Sequence, residues 1–236
     1  MRKLILFVTL ALAAAVVPSA IASAAPAPAT QPAHPTVSAR AGGPSAAELL
    51  AKTNGCNQIS NGKYKTDEDS GSATVPVCDA NGAVFWKADM DIDCDGQRTT
   101  QCNENTDCCF QADTAFHQTD GKPLNAAKLP YIVVPSSSGI WNFESSGLQG
   151  GGSCAVIFNG KVEYAVIGDT GPEQIIGEAS YATANDLGIN PDPSNGGTDS
   201  GVTYICFKNS EVSPIEDHGS AESTGQDLAT QFVNGN

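Results

Sequence analysis

Short runs of β-branched, aromatic and aliphatic residues, each closed off by Gly, Pro, Asn or Asp, restrict this chain to a fold built on strands. The runs fall at residues 75–77, 83–86, 131–134, 155–158, 162–167 and 202–207. Strands of this length at such spacing close into a barrel or stack as a sandwich. Asn159-Gly160 separates two of the runs by two residues that both tolerate positive φ, which is a strong signal for a tight hairpin. Three helices are predicted around the strands. Ser45-Ala46-Ala47-Glu48 fits a capping box that opens a short helix ending near Asn54-Gly55. Ile175, Ile176, Ala179, Ala182 and Leu187 approximate one helical face that stops before Gly188, and residues 223–233 predict a terminal helix.

The first residues divide the chain. Arg2 and Lys3 precede an apolar run over residues 4–17, and Ala22-Ser23-Ala24 supplies a small-residue cleavage site, so residues 1–24 read as a secretory signal peptide. The run is too short and wrongly flanked for a membrane span. Residues 25–44 are almost entirely Ala, Pro, Ser, Thr and Gly and read as a linker that buries no core. Residues 45–236 are long enough for one domain with its own core. A secreted, extracellular protein is expected. All eight cysteines follow the leader, and an even count in that compartment implies disulfides, whose pairing the spacing leaves open. With no paired C-x-x-C unit and no histidine near the cysteines, a zinc site is not expected.

Charge narrows the partners. The formal charge of −14 becomes −16 once a leader carrying Arg2 and Lys3 is removed. Such a surface repels nucleic acid and anionic lipid and attracts cations. Part of that charge lies in Asp89-Met90-Asp91-Ile92-Asp93-Cys94-Asp95-Gly96, where carboxylates alternate with apolar residues. As a strand, it puts four carboxylates on one face. A metal ion or an amine-bearing substrate would relieve their repulsion. An EF-hand loop is not the answer, since the position that should hold its bidentate Glu is Cys102.

A second acidic feature suggests chemistry. The strand-like run Tyr164-Ala165-Val166-Ile167-Gly168 delivers Asp169, and the Gly171-Pro172 turn folds the chain back to Glu178. A turn of this kind can bring the two carboxyl groups to the roughly 6.5–9.5 Å that an inverting glycosidase needs to admit water between them. His117 has no serine elbow or cysteine motif near it and reads as a structural hydrogen-bonding residue. Trp86, Trp141, Tyr131 and Tyr181 are aromatics that either fill the core or stack on sugars.

Three ordered stretches resemble the secreted endo-chitosanases of glycoside hydrolase family 75, the fungal-type chitosanases. They are Val84-Phe85-Trp86-Lys87-Ala88-Asp89-Met90-Asp91-Ile92-Asp93-Cys94-Asp95-Gly96, then Asp120-Gly121-Lys122-Pro123-Leu124 with Leu129-Pro130-Tyr131-Ile132-Val133-Val134-Pro135, and then residues 164–178. The resemblance implies inverting endo-hydrolysis of β-1,4-linked glucosamine in chitosan, with no cofactor and no metal. The family's essential carboxylates fall on Asp169 and Glu178; Glu178 is taken as acid and Asp169 as base, and the sequence leaves the two roles interchangeable. Asp89, Asp91, Asp93, Trp86 and Tyr181 are the expected substrate-binding residues. The expected architecture is a mainly β, disulfide-stabilised barrel, double-psi-like as in some inverting cellulases, with a few peripheral helices. The protein is expected to act as a monomer on a polycationic polysaccharide. The alternatives are a non-catalytic carbohydrate-binding or expansin-like module, an inverting glycanase on another β-1,4 polysaccharide, and a calcium-stabilised structural protein.

Overall fold

The computed structural model describes residues 42–235. The leader read at residues 1–24 and most of the linker read at residues 25–44 lie outside them. Among the described residues no helix is long and apolar enough to cross a membrane.

Eight strands carry the fold: β1 (Asn57–Gln58), β2 (Cys78–Ala80), β3 (Ala83–Asp93), β4 (Tyr131–Pro135), β5 (Ser153–Phe158), β6 (Lys161–Gly171), β7 (Glu178–Ser180) and β8 (Thr198–Phe207). The order β3-β7-β4-β6-β5-β8 closes through a β3–β8 pairing, giving a six-stranded barrel, and β1 and β2 extend it from the first half of β3. Pairings β3–β7 and β4–β6 are parallel and the others within the barrel antiparallel. The expected disulfide-stabilised β-barrel is therefore what the chain forms.

Alternation along the strands sorts side chains into two environments. Val84, Trp86, Met90, Ile132, Val134, Val156, Ile167 and Tyr204 fill the barrel, with Trp86 stacked on Tyr204 at 5.3 Å. Outward-facing Phe85, Ile157, Tyr164, Ile205 and Phe207 are covered by helix α1 (Ala46–Ala51) and helix α3 (His218–Asn234), through Leu49 and Phe232. A third cluster, including Leu124, Tyr131, Val133 and Val166, gathers under the loop that follows β3.

Local chemistry sets the element ends. The Ser45 hydroxyl accepts from the Glu48 amide while the Ser45 amide donates to the Glu48 carboxylate, the capping box read from sequence. Asn159 and Gly160 take φ of 47° and 82°, the positive pair a type I′ turn requires between β5 and β6. Helix α3 starts at His218, five residues earlier than expected, because the Asp217 carboxylate caps it. The helix expected to start near Ile175 begins only at Tyr181 (α2, Tyr181–Leu187), with Ser180 as its cap. Residues 178–180 instead pair as β7 with both β3 and β4. The expected strand at 75–77 reduces to an isolated bridge between Val75 and Tyr64.

Three disulfides form: Cys56–Cys78, Cys94–Cys102 and Cys154–Cys206. The last joins β5 and β8 at residues that face each other in register. Cys94–Cys102 ties the end of the acidic strand to the loop beyond it, a loop that also supplies one wall of the cleft described next.

Candidate active site

β4 holds the site together. Val133 pairs with Asp169 of β6 on one side and with Glu178 of β7 on the other. Side chains directly opposite one another share a sheet face, so Asp169 and Glu178 stand on one face with Val133 between them. Two strand spacings put their Cα atoms roughly 10 Å apart.

Asp169 reaches that face because β6 is irregular. Ile132 pairs with Ile167 but Val133 pairs with Asp169, so Gly168 is an extra residue, a bulge that reverses the alternation. Ile167 points into the barrel and Asp169 away from it. Only glycine fits at 168, since a Cβ there would lie 2.6 Å from Tyr131 Cβ and Cγ and 2.8 Å from Leu124 Cδ1. Gly171, three residues on, leaves room for the Glu178 carboxylate; a Cβ at 171 would lie 3.1 Å from Glu178 Oε2.

The cleft above this face has a volume of about 350 Å³ and is lined by Asp93, Asp95, Asp107, Cys108, Cys109, Asp169, Glu178 and the prolines 172 and 193, among others. None of its lining residues is Lys or Arg. Asp93 is 5 % exposed and Asp169 7 %. Asp93 Oδ1 accepts from the Asp95 amide at 2.6 Å, and Asp95 Oδ1 accepts from the Gln111 amide at 2.6 Å.

The two carboxyls that share Val133 sit in different environments. Asp169 Oδ1 accepts from the amides of Ala115 and Thr170 at 2.8 and 2.7 Å. Burial raises its pKa, but those two amides, and His117 nearby, work against the rise. Glu178 is pushed up to about 8, first by burial and then by the charges of Asp91, Asp95, Asp169 and Asp107. Among the described residues no hydrogen bond from an amide offsets this. Burial and the adjacent Glu178 also hold Asp93 well above its ordinary value, and Asp95 is raised to about 6, chiefly by burial.

The acidic run does not present one uniform face. Its last two carboxylates, Asp93 and Asp95, line the cleft. Asp91 pairs directly with Glu178 and keeps part of its surface exposed, while partial desolvation by the surrounding chain, with the charges of Asp67 and Asp199, raises its pKa to about 6. Asp89 falls where the β3–β8 register shifts and is 3 % exposed, packed so closely on Gly177 that a Cβ there would lie 2.1 Å from Asp89 Oδ1. Burial raises Asp89 to about 8. Oxygens of Asp67, Asp89 and Asp91 lie within 4.8 Å of one another. The EF-hand alternative is closed structurally as well, since Cys102 is bonded to Cys94.

Two substrate-binding expectations are corrected: Asp89, buried against Gly177, does not line the cleft, and neither does Trp86. Trp86 is 1 % exposed inside the barrel and offers no ring face to a sugar, because its place in the alternation of β3 turns it inward. Tyr181 is half-buried and lines a groove of about 500 Å³ with Gln101, Thr106 and residues 190–195. Pro193 lines both groove and cleft, which places them side by side. His117 sits on the loop, half-exposed, with Nε2 2.7 Å from Asp113 Oδ1. Sequence reasoning passed over Asp107, Gln111 and the Ala115 amide. They come from an irregular loop without periodicity, and a backbone donor has no residue signature at all.

Residues 90–233 match a family described as fungal chitosanase of glycosyl hydrolase group 75. Endo-chitosanase C of Aspergillus oryzae is 35 % identical over 133 residues, which is 54 % of this chain and 32 % of that protein. Endo-chitosanase B of Aspergillus oryzae is 29 % identical over 177 residues, 67 % of this chain and 73 % of its own length. An endo-chitosanase of Aspergillus fumigatus is 28 % identical over 174 residues with the same coverage. The chain thus spans about a third of the length of the first and about three-quarters of the other two.

Proposed function

The chain belongs to the glycosyl hydrolase group 75 family of fungal chitosanases, and from that membership and the cleft we propose a secreted endo-chitosanase that inverts the anomeric carbon, with Glu178 as acid and Asp169 as base. The observation that carries this reading is the placement of both carboxyls opposite Val133 on one face, with surroundings that separate their titrations. A backbone separation of roughly 10 Å is compatible with the carboxyl spacing of an inverting pair. In the proposed reaction Glu178 gives its proton to the glycosidic oxygen as the bond from C1 to that oxygen breaks. Water attacks C1 from the opposite face and passes a proton to Asp169. Both amides bond Asp169 Oδ1, so Oδ2 is the oxygen that receives the water.

Chitosan is favoured over an uncharged β-1,4 glucan because the cleft holds five carboxyls and no cationic side chain. Protonated glucosamine units would supply the missing counter-charge, with the sugar chain running on past Tyr181. Raised salt is then expected to increase KM with little effect on kcat, since exposed charges are screened over about 8–10 Å at moderate ionic strength. A KM indifferent to salt would count against charge-based recognition.

The direct test is hydrolysis of soluble, largely deacetylated chitosan with the first-formed product read by proton NMR. The α-anomer is expected from a β-linked substrate; a β-anomer would exclude the inverting pair. The pH profile supplies a second check. An acid must be protonated, so kcat/KM should fall as pH rises through about 8, and a base must be ionised, so it should fall again as Asp169 gains its proton at low pH. A profile still flat at about pH 10 would remove Glu178 from the acid's role.

A further inference from the structure

Six of the eight cysteines are accounted for by the three disulfides, and the remaining two are neighbours in sequence, Cys108 and Cys109. Their sulfurs are 2.8 Å apart. Non-bonded carbon atoms rest roughly 3.5–4.0 Å from each other, and sulfur is larger, so this pair is closer than ordinary packing gives. Both residues are exposed, and both line the cleft that holds Asp169 and Glu178. The turn that carries them is pinned: the Cys109 amide donates to Asp107 Oδ1 at 2.9 Å, and Arg98, which is paired with Glu104, lies over the Phe110 ring at 5.2 Å.

We propose that Cys108 and Cys109 close on each other as a vicinal disulfide, a fourth bridge, and that its compact ring is an apolar contact surface for the sugar chain at the mouth of the cleft. The substrate half of this inference rests on the chitosanase reading; the covalent half does not. A sugar needs apolar surface against its C–H faces, and with Trp86 inside the barrel that surface must come from elsewhere. Apart from the two sulfurs the apolar lining is Ile92, Val133, Pro172 and Pro193; Val133 is buried in the sheet and Ile92 partly so, which leaves the prolines and the exposed sulfurs as the apolar groups most open to a sugar. The ring also fixes the turn that directs Asp107 into the cleft.

Closure is balanced by a small-molecule disulfide such as oxidised glutathione. One cysteine thiolate attacks a sulfur of that disulfide and releases one thiol. The second cysteine then attacks the mixed disulfide, forms the Cys108–Cys109 bond and releases the second thiol. A bridge between sequence neighbours spans Cα atoms only about 3.8 Å apart, short of the usual 4.4–6.8 Å, so it is the bridge that a mild reductant opens first. Cys94, Cys102, Cys154 and Cys206 are fully buried; in the remaining bridge Cys78 is nearly buried but Cys56 is exposed.

The test begins with the protein as secreted, denatured without reductant and treated with iodoacetamide. No label is expected, and the non-reduced peptide carrying both residues should be about 2 Da lighter than its dithiol form. Two labels on that peptide, or a dimer on a non-reducing gel linked through either residue, would overturn the bridge. Brief native treatment with a phosphine followed by iodoacetamide should label Cys108 and Cys109 before Cys56 and Cys78, the other bridge with an exposed cysteine, and raise KM for glucosamine oligomers roughly three- to tenfold. The Cys108→Ser/Cys109→Ser variant should show the same rise in KM with kcat nearly intact. An unchanged KM in both preparations would overturn the contact surface while leaving the mass result standing. A wild-type protein that hydrolyses no chitosan would instead defeat the functional reading, again without touching the mass result.

Discussion

Glu178→Gln is expected to lower kcat/KM on soluble glucosamine oligomers by about 10³-fold or more, toward the upper part of the range seen when a general acid is lost. The same substitution should raise the melting temperature, and the direction follows from linkage. Glu178 titrates at about 8 in the folded protein, above its ordinary 4.5. A raised carboxyl stabilises the fold below the unfolded value, and that stabilisation is lost as pH climbs through the folded one. At pH 8 the wild type therefore bears an ionised, crowded carboxylate that glutamine does not have. The gain in melting temperature should be small near pH 4 and grow toward pH 8, read by calorimetry across that range. Asp169→Asn should lose comparable activity but gain less stability, because its two amide bonds favour the charge that asparagine lacks. If either variant kept more than about a tenth of wild-type turnover, that carboxyl would have no part in the chemistry.

The second large effect is expected at a residue with no functional group. Gly168→Ala should cut kcat/KM at least about 100-fold, the scale associated with misplacing a catalytic group by about 1 Å. The new methyl has nowhere to go: Tyr131 and Leu124, the atoms it meets, are fully buried. The strand can shift away and disturb the bulge that aims Asp169, or the site can absorb the clash at a cost of about 1–3 kcal/mol. Pairing the change with Leu124→Ala makes room on one side and should restore part of the stability, but not the activity if the bulge has moved. Near-normal kinetics in Gly168→Ala at an unchanged melting temperature would show that the aim of Asp169 does not depend on this glycine.

Much of the barrel could be read from residues whose local chemistry admits one outcome. Asn159-Gly160 makes its turn whatever surrounds it, and Ser45 with Glu48 closes a box within one turn of chain. The failures have the opposite character. Ile175, Ile176 and Ala179 keep a helical spacing, yet residues 178–180 find two strands to pair with, and tertiary hydrogen bonding prevails over a weak local preference. Alternation alone makes the acidic run a strand with one carboxylate face. Its irregular pairing near Asp89 and the disulfide at Cys94 divide it instead between a buried position, an exposed one and the cleft. Trp86 could not be sorted into core or cleft, since alternation tells which residues share a side but not which side is wet. Asp169 and Glu178 were legible as a pair from the turn between them. The strand that separates them was not, because β4 is more than thirty residues away in sequence.

That separation is a ruler. On the proposed mechanism the distance between acid and base is set by counting strands, and sheets offer distances only in steps of about 4.8 Å. Removing the intervening strand would bring the backbones to about one step apart, near the roughly 5–5.5 Å between carboxyls of a retaining pair, with nothing stable between the two arrangements. Stereochemistry in such a site cannot drift by small adjustments of side chains. It is inherited with the strand order, and a descendant could change the sugar it accepts many times over while the configuration of its product stayed the same.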